Sequence, residues 1–156
     1  MVSPSSSARA SILQFLEDAR RELLDAVAGI PDEKMTVPAV GDWSVKDVLA
    51  HITSWEEQIP SDLRRVGAGL QPALASFREA DVDQWNALLV GLRRSFPLPQ
   101  VRQELEDRRR ALIEALDSLP DSAFAAGFVP ATCAISVGHD RQHAGHIRAW
   151  RQEQGI

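Results

Sequence analysis

Ile12, Phe15, Leu16, Leu23, Leu24 and Val27 recur at helical spacing, with Glu17, Asp18, Arg20, Arg21, Glu22 and Asp25 interleaved between them. Residues three and four apart share one face of a helix, so this pattern predicts an amphipathic helix. It should stop near Gly29, which tolerates left-handed backbone, just ahead of Pro31. The stretch from Ile30 to Trp43 contains two prolines and Gly41 and reads as a connection.

A second helix is predicted to begin after Ser44, whose hydroxyl can satisfy an orphan amide while Asp47, three residues on, resembles a capping-box partner. Val45, Val48, Leu49, Ile52 and Trp55 mark its apolar face. It should extend to about Arg65, bent or interrupted at Pro60, before Gly67-Ala68-Gly69 breaks it. The pattern over Pro72 to Ala80 is weak and fits a short helix or a loop. Helical spacing returns with Trp85, Leu88, Leu89 and Leu92, and Pro97 and Pro99 separate that segment from the next.

The next segment is marked by Val101, Leu105, Leu112, Ile113 and Leu116, set against the charged run Glu104 to Arg110. Beyond Leu119-Pro120-Asp121, small residues including Gly127 and Pro130 lead to a last helix from about Ala134 to Gln154. No run alternates as a strand would. Four long amphipathic segments predict an all-α four-helix bundle, with the third helix open to interruption and an extra short helix in a connection. At 156 residues the chain suits a single domain over 1–156, with the Ser/Pro-rich residues 1–7 expected to be flexible.

Composition narrows the function. With 44% hydrophobic and 25% charged residues the chain is too apolar for intrinsic disorder. A net charge of -5 gives no general attraction to phosphate backbones, so no nucleic-acid partner is expected. No apolar stretch approaches the roughly 20 residues of a membrane span, and the first residues do not resemble a secretory signal. The single cysteine, Cys133, rules out an internal disulfide framework and suits a reducing cytoplasm.

The histidines carry the chemical signal. His139 and His143 lie four residues apart, about 40° around a helix axis, so both imidazoles project from one face. His51, beside Val48, Ile52 and Trp55 on the second helix, can supply a third ligand. Three neutral imidazoles around a divalent ion leave a coordination position open, as in catalytic sites, whereas closed structural zinc sites take four ligands and often use cysteine. The plainer alternative is that each histidine is a surface or partly buried residue with a local hydrogen bond.

His146, three residues beyond His143, could be an alternative ligand, a hydrogen-bond donor to a ligand or a proton carrier. Asp140 and Asp47 could orient imidazoles, although carboxylates on helices are more often solvated. Cys133, just before the predicted last helix, could be a thiol activated by a helix N-terminus, but a buried small residue is the commoner role. Trp43, Trp55, Trp85 and Trp150 read as packing anchors, and a place beside a metal is open only to Trp55. Arg108-Arg109-Arg110 reads as a solvated helix face. No HExxH, GxSxG or glycine-rich phosphate loop occurs.

The segment from Gly41-Asp42-Trp43-Ser44 through His51-Ile52, continued by Trp55-Glu56, resembles the start of the second helix in the DinB-like superfamily. The members of that superfamily include metal-dependent hydrolase-like and thiol-dependent proteins. Asp83 to Ala87 and the stretch from Arg109 to Pro120 look like its DfsB/ClbS branch, and His139 to Trp150 looks like the family's closing helix. The resemblance implies a nickel, zinc or iron ion on His51, His139 and His143, and a homodimer. In many members a glutamine stands where this chain has His146.

Together these readings predict a metal-dependent enzyme, of hydrolase or thiol-transferase type, acting on a small electrophilic molecule. The alternative is a non-catalytic small-molecule binding or self-protection protein that uses the same bundle cavity.

Overall fold

A computed structural model describes residues 3–156. Among these residues the helices are α1 (Pro4–Val27), α2 (Val45–Glu56), α3 (Ile59–Gly67), α4 (Val82–Arg93), α5 (Leu98–Asp117) and α6 (Phe128–Gln154). Two short strands, β1 (Pro38–Val40) and β2 (Trp43–Ser44), pair antiparallel. The class is all-α, as the periodicity predicts. The chain forms two compact units, one comprising the residues up to Ala28 with Ile113–Ile156 and the other comprising Gly29–Leu112.

In the first unit, α1 begins where Ser3 Oγ accepts a hydrogen bond from the Ser6 amide and Pro4 occupies the first turn. The Ser/Pro-rich start expected to be flexible is therefore helical from Pro4 onward, while Met1 and Val2 lie outside the described residues. A serine cap followed by proline starts a helix well, because the first-turn N–H that proline lacks has no intrahelical partner in any case. α1 packs along α6, burying Leu16, Ala19, Leu23 and Ala26 on one element and Cys133, Ala144, Ile147 and Trp150 on the other. Arg151 donates to the carbonyls of Ala26 and Ala28 at 2.9 and 2.8 Å and so closes the C-terminal end of α1.

α6 begins six residues before the predicted Ala134, since Gly127 at φ 87° serves as its N-cap. Pro130 falls in the first turn, where its missing N–H breaks no helical bond.

In the second unit, the chain reverses between the strands at Gly41, whose φ of 59° suits glycine. Strands of three and two residues are too short to leave a period-two signature in the sequence. Ser44 and Asp47 form the expected capping box: Ser44 Oγ accepts from the Asp47 amide at 3.1 Å, and Asp47 Oδ2 accepts from the Ser44 amide at 3.0 Å. The helix predicted to run to Arg65 splits after Glu56, and Pro60 sits in the first turn of α3.

The weak region holds 3-10 turns at Ala73–Ser76 and Glu79–Asp81 instead of a short α-helix. It is tied down by Asp62, which accepts from the Ala73 and Leu74 amides at 2.6 and 3.0 Å. α4 and α5 are separate helices, as the prolines at 97 and 99 predict. Among the described residues no helix is long and apolar enough to cross a membrane.

Candidate metal centre

α6 stacks its histidines along one face. The His139 and His143 rings lie 4.8 Å apart between centroids at 61°, and the His143 and His146 rings lie 5.4 Å apart at 72°. His143 is buried, His139 half-buried and His146 exposed. Burial is the largest influence on His143, and the neighbouring His139 and His146 add to it, so its pKa falls from 6.5 to about 4 against the opposing pull of Asp140. At neutral pH its imidazole is uncharged and can offer a lone pair to a metal.

Asp140 lies one residue after His139 and three before His143, and it is fully buried. Both of its oxygens meet the Arg20 guanidinium, with Nε to Oδ2 at 3.0 Å and Nη2 to Oδ1 at 3.2 Å. The alternative of a solvated carboxylate therefore fails for Asp140. Arg20, one of the charged residues interleaved along α1, is buried in the same register as Leu16 and Leu23.

His51 is buried midway along α2, with its ring 4.9 Å from that of Trp43 at 46°. Trp55, the candidate for that place in the sequence, is a packing anchor: it donates its indole N–H to Asn86 Oδ1 at 2.8 Å and packs its ring 5.8 Å from Phe77. Trp43 takes the place beside His51 because β2 delivers it immediately before the Ser44 cap. Asp47 is used by that cap, one turn before His51, so it fixes the start of the helix and does not orient an imidazole.

His139 and His143 thus offer imidazole nitrogens from one face of α6, and His51 offers one from α2. Imidazole nitrogens suit zinc, nickel or iron.

One other expectation holds and one changes. Because α6 starts at Phe128, Cys133 lies in its second turn and is 2% exposed, away from the unpaired amides of the helix end, and this matches a buried small residue rather than an activated thiol. Arg109 is not solvated but buried against Glu56, with two of its nitrogens on that carboxylate. Arg108 reaches Glu57 at 3.1 Å, and only Arg110 lies on an exposed face. Arg93 is a further buried cation missed in the sequence, held by Ser54, Glu57 and Glu104 at 2.7–2.9 Å. Burial alone would lower its pKa, but the two carboxylates more than offset this and raise it.

No curated protein matches the chain. Its fold is similar to the crystal structure of an uncharacterised protein from Escherichia coli UTI89, with a TM-score of 0.81 and 12% identity over 95% of each chain. The DinB superfamily model matches residues 16–147, which run from within α1 to within α6 and include all four histidines. The chain belongs to the DinB superfamily.

Proposed function

We propose that His51, His139 and His143 bind one divalent ion, nickel, zinc or iron, in a metal-dependent enzyme acting on a small electrophilic molecule. The observation that carries this reading is the His139–His143 pair stacked on one face of α6, with His143 uncharged at neutral pH, in a chain of the DinB superfamily. When bound, the ion supplies Lewis acidity toward water, a thiol or the substrate. His143 and His139 present their nitrogens from successive turns of α6, and His51 presents its own from the interior of α2. His146, exposed and in ring contact with His143, takes the proton-carrier role in this reading. Hydrolysis and thiol transfer both fit this chemistry. A single cysteine suits action in the cytoplasm, and the DinB-like resemblance carries the expectation of a homodimer.

Metal analysis tests the site. Tag-free wild type should carry a stoichiometric metal that His51→Ala, His139→Ala and His143→Ala each lose; equal metal content in all four proteins would reject the triad. Turnover of a reactive small molecule should disappear on metal removal.

One observation favours a second reading, a binding or sequestering role without turnover. Asp140, the carboxylate nearest in sequence to the paired histidines, is committed to Arg20 and so is poorly placed to act as a general acid or base. Stoichiometric binding of a reactive metabolite that is recovered unchanged would support this reading over the enzyme.

A further inference from the structure

A buried ion pair is an expensive way to join two helices. Removing both charges from water costs several kcal/mol per ion, and apolar residues of similar volume often hold the same place without loss of stability. Arg20 and Asp140 nevertheless form such a pair between α1 and α6, at 8% and 0% exposure. The contact is a two-point fork, which resists rotation in a way that a single hydrogen bond or an apolar contact does not. It also grips α6 at a residue between His139 and His143, within the turn whose rotation decides where both imidazoles point.

Resting on the metal reading above, we infer that Arg20 and Asp140 are positioning residues of the metal centre. Arg20 fixes the rotation of the histidine-bearing turn through the Asp140 carboxylate, and that carboxylate supplies a fixed negative charge beside the two ligands on α6. Neither residue needs to touch the ion. A pair serving only to join α1 and α6 would contribute to melting temperature alone, whereas a positioning pair also sets affinity and coordination geometry.

The test uses tag-free full-length protein, with zinc affinity measured by chelator competition and geometry read from the visible absorption of the cobalt-substituted form. Asp140→Asn and Arg20→Gln should each weaken zinc binding by about 10–100-fold, the usual cost of losing an outer partner of a ligand, and should shift the cobalt bands. Arg20→Lys, which keeps the charge and loses the fork, should bind with intermediate affinity.

The double variant Arg20→Met/Asp140→Leu replaces the pair with apolar side chains and guards against misfolding of the single variants. It should melt near wild type yet still bind zinc weakly. Wild-type affinity and cobalt spectra in the double variant, or in single variants whose melting alone is changed, would overturn the inference while leaving the metal site intact. Failure of wild type itself to bind zinc or cobalt would reject the metal reading, and the inference with it.

Discussion

His143 takes up a proton in the folded chain only near pH 4, because burial disfavours the imidazolium and His139 and His146 repel it, with Asp140 pulling the other way. An unfolded chain protonates the same group near pH 6.5. Between those values the unfolded state binds the extra proton, so stability falls as pH drops from 6.5 to 4 and the effect levels off below. A shift of this size is worth roughly 3 kcal/mol when fully expressed. Metal-free wild type should therefore lose thermal stability over that range more steeply than metal-free His143→Gln. Parallel pH curves would contradict this. The pairing of His139 with His143 was legible because helical period alone places them on one face. Arg20 and Arg109 were not, since a charged residue on an apolar stripe looks the same in sequence whether it snorkels to water or meets a carboxylate on another helix. The available hint was register: Arg20 follows Leu16 by four residues, and Arg109 follows Leu105 by four.

Helix ends determine where these side chains point, and their legibility depended on local chemistry. Ser44 and Asp47 could be read as a capping box because the motif depends only on residues three apart, and it sets the start of α2 one to two turns before His51. Ser44→Ala should destabilise the protein by about 1 kcal/mol, seen as a lower urea midpoint at unchanged slope. An unaltered midpoint would mean that the box contributes nothing. The start of α6 was misplaced because Pro130 and the surrounding small residues weaken the periodic signal, although proline in a first turn is well tolerated. On α5 the buried face includes Val101, Leu105, Arg109 and Leu112, so Arg109 requires its partner on α2. Glu56→Ala should cost about 3–5 kcal/mol by leaving a buried guanidinium uncompensated, again measured by urea unfolding. A loss below about 1 kcal/mol would place Arg109 effectively in water.

At the scale of the whole molecule, periodicity gave the all-α class but could not bring His51 near the closing helix, because no local spacing links residues so distant in sequence. Resemblance to the DinB-like pattern from Gly41 to Ile52 supplied that expectation, and the superfamily match over residues 16–147 supports the frame for it. A ligand that binds the folded state alone stabilises it by RT ln(1 + [L]/Kd), about 2.7 kcal/mol at a free concentration one hundred times Kd. In a chain of this size each kcal/mol moves the melting temperature by roughly 2–4 °C, so such a zinc excess should raise it by about 5–10 °C, and a chelator should reverse the rise. His51→Ala, whose own metal-free melting temperature should fall below that of wild type because a buried side chain is truncated, should lose most of the zinc-induced increment. A rise in His51→Ala equal to that in wild type would confine binding to α6, where His139 and His143 alone, or with His146, would be holding the ion.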